Sequence, residues 1–334
     1  MAQLNIKEPK YFKQERYFHT PLEEMDHNTY QEDDGGKLID DSLEMYNLPM
    51  QTINLDILEG TTVSYHQTPC PPNPSRPTLL MIPDLATTPE IFRHQLTNHT
   101  LSNSMNLIAV EPLGHGKTRT QRSDWTNRDS AAVCLATLDA LHITGGNLFV
   151  AGLGHGGYLA VLLALLAPSR VAGLIPMGTS LFSSTTATNP PHSRNLQGSS
   201  SRDAHATALT PYIDDEWAHP SIFRLFEPSS SFIHAHIITR GFGSAVSQRD
   251  RDFWSVTVRQ NWSGESGRQR ARRACINLRD REDLCGRLGE VKCPVLWLHG
   301  EKDEVCSVEV AREEVGLFGS AEKRFEVVGG ERVS

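Results

Sequence analysis

At 334 residues the chain is long enough for one large α/β domain with an inserted segment, and need not divide into two domains. Hydrophobic residues make up 38% and charged residues 22%, the balance of a globular protein with a sizeable core. A formal net charge of -8 removes the electrostatic reason to expect a nucleic-acid partner; the one basic run, Arg268 to Arg273, reads as a solvated helix face.

Residues 1–47 are polar and acid-rich without a sustained apolar period, which predicts a flexible N-terminal extension. The start has no apolar core of the kind a signal peptide needs. No later stretch approaches the roughly 18 apolar residues of a membrane span, so the expected location is the cytoplasm. From Met50 the pattern changes. Gln51-Thr-Ile-Asn-Leu alternates, Glu59-Gly60 supplies a turn, and Thr61-Thr-Val-Ser-Tyr65 alternates again, which predicts a hairpin opening the folded domain at residue 48.

After a proline-rich loop, Thr78-Leu-Leu-Met-Ile82 is apolar without alternation, as in a strand buried on both faces. Leu107–Val110, Asn147–Ala151, Val171–Met177, Pro294–Leu298 and Arg324–Val328 read as further strands. Ser130–Leu141 and Gly156–Leu166 read as helices. Strand and helix alternating through short loops predict an α/β fold with a mostly parallel sheet and helices on both faces. Residues 179–287 break that alternation, starting with a Ser/Thr/Asn/Pro-rich stretch and continuing with Phe223, Phe226, Phe253 and Trp254; they are expected to form an inserted cap.

In such sheets the chemistry sits at the carboxyl ends of the strands. Phe149-Val-Ala-Gly-Leu-Gly-His-Gly-Gly157 passes from strand to helix through close glycines and matches Gly-x-Ser-x-Gly except at its centre, which is Gly154. A phosphate-cradling glycine turn is the alternative reading. It is disfavoured because the turn follows the third buried strand rather than the first. Without a side chain, Gly154 cannot attack a carbonyl. Gly300-Glu-Lys-Asp303, just after a strand, is where a triad acid belongs, whose task is to orient a histidine; a turn-forming aspartate is the plainer alternative. The histidine should follow Arg324–Val328, but Gly329-Gly-Glu-Arg-Val-Ser334 has none, and the closing helix of the sheet is expected to be missing as well.

Glu111-Pro-Leu-Gly-His-Gly116, Leu138-Asp-Ala-Leu141, Ile175-Pro-Met-Gly-Thr-Ser180, Asp252-Phe-Trp254, Cys275-Ile-Asn-Leu-Arg-Asp280 and Cys293-Pro-Val-Leu-Trp-Leu-His-Gly300, together with the glycine turn, resemble α/β-hydrolase superfamily proteins encoded in fungal secondary-metabolite and toxin clusters. The likeness runs from about Leu48 to the end. The resemblance implies an α/β-hydrolase fold with Gly154 at the serine position, Asp303 as the acid and Arg332 at the base position. Ile82-Pro-Asp-Leu85 stands where relatives often show His-Gly, which leaves the amides of Leu85 and His155 as oxyanion donors. An ester, thioester or lactone-like small molecule is the implied substrate. Some relatives carry a peroxisomal tripeptide, whereas this chain ends Arg-Val-Ser, so the cytoplasm remains the expected location.

No cofactor or metal is implied, and the oligomeric state is left open. The six cysteines, at 70, 134, 275, 285, 293 and 306, form no ligand pattern and read as free thiols, Cys306 as a packed one. His115 and His299 read as structural. Three functional readings follow: an enzyme with a substitute for serine, for which His155 or an attacking water are the candidates; a non-catalytic protein that binds a small molecule or a partner; or a degenerate paralogue.

Overall fold

The structure, a computed structural model, describes residues 48–182, 242, 246–303 and 305–329. The acid-rich extension, residues 183–241 of the expected cap and Arg332 lie outside the described residues.

The predicted hairpin is present. β1 (Gln51–Leu55) pairs antiparallel with β2 (Thr61–Thr68), in the register Gln51 with Tyr65 and Leu55 with Thr61. β2 continues antiparallel onto β4 (Asn106–Val110), and the two-residue β5 (Arg119–Thr120) pairs with Thr61 and Thr62 of β2 on the same side as β4, opposite β1. From β4 onward the sheet is parallel, through β3 (Thr78–Ile82), β6 (Leu148–Leu153), β7 (Val171–Met177), β8 (Val295–Gly300) and β9 (Lys323–Val328), in the order β1-β2-β4-β3-β6-β7-β8-β9.

The continuous apolar runs are explained by burial on both faces. Leu80, Ile82, Ile108, Val110 and Val150 point to one core, shared with α3 (Asn127–Ala140) and α4 (His155–Leu166). Their chain neighbours Leu79, Met81, Leu107, Ala109 and Ala151 point to the other, with Phe92 and with Leu96 and Leu101 of the short helices α1 (Arg93–Leu96) and α2 (His99–Ser104). Each of the larger of these side chains, from valine upward, contributes about 1.5–3 kcal/mol by leaving water. Helix α3 begins three residues before the sequence reading placed it. Thr126 accepts from the amide of Asp129 while the Asp129 carboxylate accepts from the amide of Thr126, and this reciprocal cap extends the first turn over polar residues that have no apolar period.

In the inserted segment, α5 (Gln248–Asn261) and α6 (Gly264–Arg279) pack on the same side as α3 and α4, with Trp262 and Ala271 buried. The Trp262 indole N–H donates to the carbonyl of Gly114 at 3.1 Å. The basic run of α6 is more than a solvated face. Arg273 donates to the carbonyls of Trp125 and Asp124, and Arg270 donates to that of Asn261 at 2.9 Å. Burial lowers the Arg270 pKa to about 10, with the nearby charge of Arg119 acting in the same direction. Helix α7 (Val308–Leu317), between β8 and β9, has no counterpart in the sequence reading. Among the described residues no helix is long and apolar enough to cross a membrane, and no cluster of three His, Cys, Asp or Glu side chains could hold a metal ion.

Candidate functional site

β3 leads into Asp84 and Leu85, β6 into Gly154, and β8 into Asp303. These strands are parallel, β3 beside β6 and β7 between β6 and β8, so all three loops leave the same edge of the sheet. Gly154 stands between strand and helix at φ 51 and ψ -117, a left-handed conformation costing a residue with a side chain about 1–3 kcal/mol. Its amide donates to the carbonyl of Met177 at 2.9 Å, and its carbonyl accepts from the amides of Gly157 and Tyr158. The elbow is formed, with no side chain at its apex.

The two amides proposed as oxyanion donors converge on one point, and that point is filled from within the chain. Oδ1 of Asp84 accepts from the amide of Leu85 at 2.7 Å and from the amide of His155 at 2.6 Å. Both amides read as candidate oxyanion donors are held by a carboxylate of the β3 loop. The same group occupies the nucleophile's place, since a Cβ built on Gly154 would overlap Cγ, Oδ1 and Oδ2 of Asp84. A carboxylate on the His155 amide also disfavours a phosphate there, which counts against the nucleotide-loop alternative. Both hydrogen bonds of the Asp84 side chain fall on Oδ1. Asp84, Leu85 and Gly154 each retain partial exposure, so this corner of the site is not sealed in the core.

Burial pushes the Asp84 pKa up to about 6; the amides of His155 and Leu85 oppose the rise and the charge of Asp303 adds to it. Well below the ordinary value of 3.8 the carboxyl is protonated in the folded and unfolded chains alike. As pH rises through about 6 the folded chain must ionise a group that burial disfavours, so this contribution to stability is lost toward neutral pH. Asp84→Asn is accordingly expected to be more stable than the natural chain at pH 8 by about 3 kcal/mol, and to lose most of that advantage by about pH 4. Urea unfolding of the two forms across that range measures the difference.

Asp303 is fully buried. Its Oδ1 accepts from the amides of Val305 and Cys306, both at 2.8 Å, the closed turn of an aspartate following a strand. Its Oδ2 lies 3.7 Å from Nε2 of His299. That nitrogen is 2.7 Å from the carbonyl of Cys306, to which it must donate, while Nδ1 accepts from the Trp297 indole at 3.3 Å. His299 thus braces the Asp303 loop. Burial, then the charge of Asp303, raise the Cys306 thiol, which suits a packed cysteine.

The His155 ring packs against Tyr158 at 6.0 Å between centroids, with no hydrogen bond to its buried Nδ1. Burial pushes its pKa down to about 3, with His115 and Arg281 adding to the fall, so it is a weak proton acceptor at neutral pH. His115 is likewise buried and pushed down to about 4 by desolvation, with its Nδ1 against the carbonyl of Leu113. Of the positions singled out in the sequence, the structure brings Leu85, Gly154 and His155 together, with Asp303 in charge range of their centre. Arg332 lies outside the described residues. The residue missed was Asp84. Its signal was present in Pro83-Asp84 standing where relatives often show His-Gly, a carboxylate introduced into a loop whose amides point at a glycine.

A family model described as the α/β hydrolase fold matches residues 77–332. Among solved structures, a hydrolase from Pseudomonas aeruginosa PA01 aligns with a TM-score of 0.62 at 18% identity, covering 83% of this chain and 90% of that one. A thermophilic esterase from Thermogutta terrifontis aligns at 0.60 and 17%, covering 84% and 90%. The enol-lactonase from Burkholderia xenovorans LB400 aligns at 0.59 and 16%, covering 84% and 92%. No curated protein matches the chain.

Proposed function

Because the chain belongs to the α/β-hydrolase fold family, we propose that it keeps the family's small-molecule recess at the elbow and uses it without serine-type acyl transfer. The observation that carries this reading is the Asp84 carboxylate, which holds both oxyanion amides and fills the space above Gly154. A nucleophile-free hydrolysis by water would need those amides free for the developing oxyanion. A catalytic His155 would need a ring that is basic and engaged, whereas this one is desolvated and without a hydrogen bond on Nδ1. The non-catalytic, ligand-binding reading therefore fits better than the enzymatic one.

The ligand class follows from kinship. The sequence resemblance to fungal secondary-metabolite and toxin proteins and the esterase and enol-lactonase among the structural neighbours point to molecules bearing an ester, thioester or lactone. The chain would hold such a molecule in cluster metabolism rather than cleave it. The purified chain is expected to leave short-chain and medium-chain p-nitrophenyl esters intact at the buffer rate, and to take no covalent label from a fluorophosphonate. Ester turnover that His155→Ala abolishes would overturn this and restore the enzymatic reading.

A further inference from the structure

We propose that the elbow recess recognises its ligand through a hydrogen-bond donor, a hydroxyl, enol or ammonium group, where a serine hydrolase would receive a carbonyl oxygen. This rests on the reading above that the recess holds a small molecule, and it names the part of that molecule that meets Asp84: a donor group carried beside its ester, thioester or lactone, not the carbonyl itself.

In an oxyanion site the protein donates and the ligand accepts. Here that polarity is inverted. The two donors at the apex, the amides of Leu85 and His155, are both taken by Oδ1 of Asp84. Oδ2 makes no hydrogen bond with a described residue and stands, with Cγ and Oδ1, where the side chain of an elbow nucleophile would begin. The polar group that a ligand meets at this point is therefore an acceptor. A carbonyl or carboxylate oxygen brought there would face carboxylate lone pairs with no proton between them, whereas an O–H or N–H would complete the coordination of Oδ2.

The surroundings act in the same direction. Asp303 is a second carboxylate within charge range of Asp84, so the recess carries negative potential. The imidazoles of His155 and His115 are held neutral by burial and do not offset it. Arg281, whose charge reaches His155, lies over the Tyr158 ring and donates to the carbonyl of Phe182. The partial exposure of Asp84, Leu85 and Gly154 gives a ligand access to the carboxylate.

The test uses one alkyl chain with three head groups, 1-hexanol, hexylammonium and hexanoate, whose binding to the full chain is followed by ligand-observed NMR titration. The natural chain is expected to bind hexylammonium and hexanol at least about tenfold more tightly than hexanoate. Asp84→Asn keeps an acceptor for the two amides and turns an N–H toward the recess, so the order should reverse in favour of hexanoate. Asp84→Gly, which frees the amides, should also gain hexanoate binding and provides the same answer if the asparagine form does not fold. Hexanoate binding the natural chain as tightly as hexylammonium, or an order that ignores the residue at 84, overturns the inference while leaving a ligand site in place. Failure of every probe with every folded form removes the recess as a binding site, and the inference with it.

Discussion

Restoring serine at the elbow is expected to give no esterase. Gly154→Ser alone, and Gly154→Ser combined with Arg332→His, should remain at the buffer rate with p-nitrophenyl esters and resist a fluorophosphonate. Motif logic predicts the opposite for the two-site form, since both missing triad members are back. The obstacle is Asp84. The new Cβ would overlap its carboxyl group, and the backbone at φ 51 gives the side chain no other exit without strain. Moving the carboxylate away strips it of two amide hydrogen bonds and leaves a buried charge to resettle. The variant should therefore lose about 3 kcal/mol of stability as well, readable as a shift of the urea midpoint. Adding Asp84→Gly removes the overlap and frees both amides at once. The form carrying Asp84→Gly, Gly154→Ser and Arg332→His is expected to be the first to take the covalent label, and its ester turnover should rise at least about a hundredfold over the two-site form, the scale of regaining one oxyanion donor. Labelling of Gly154→Ser by itself would show that Asp84 does not hold the elbow closed, and would undo the account of the site.

Gly154 and Asp84 thus fit one another in space, and this bears on what could be read from sequence. The fold was legible because its signals are long and local. The apolar runs of β3, β4 and β6 require burial on two faces, the glycine turn between β6 and α4 has one structural use, and the hairpin announces itself by alternation. Short elements were not. β5 is two residues, α1 and α2 have no sustained period, and the start of α3 depends on a side-chain cap rather than on apolar spacing. At the site, the absence of serine was visible at Gly154, but the group in its space came from Asp84, 70 positions earlier (154 minus 84). A motif reports which side chain is missing and is silent about which other one has entered the gap. His155 shows the same limit: its amide belongs to the site and its ring belongs to the core, a division set by the first turn of α4.

The other large effect is expected far from the apex, at Glu314 of α7. This carboxylate is fully buried on the helix face that also carries Val310, Ala311 and Val315, where the apolar stripe alone would call for a hydrophobic residue. Its oxygens accept from the Ser180 hydroxyl at 3.1 Å, the Leu181 amide at 2.9 Å and the Phe182 amide at 3.0 Å. Those three residues are where the chain leaves β7 and turns into the inserted segment, and such a turn has no strand partner to satisfy its amides. Glu314 supplies that partner from a helix more than a hundred residues later, so it fixes the exit of the insertion relative to the sheet. Glu314→Ala leaves two buried N–H groups and a hydroxyl without acceptors and opens a cavity in their midst, for an expected loss of about 4 kcal/mol. Glu314→Gln keeps one oxygen but directs an N–H at a donor, and should fall between the two. Denaturant titration ranks the three forms. Because β7 lies next to β6 in the sheet and Met177 accepts from the amide of Gly154, loosening this turn should also reach the elbow, and hexylammonium binding should weaken in the alanine form even under conditions where it remains folded. A loss under about 1 kcal/mol would mean that solvent, not Glu314, serves those amides, and that the insertion is held by its packed helices alone.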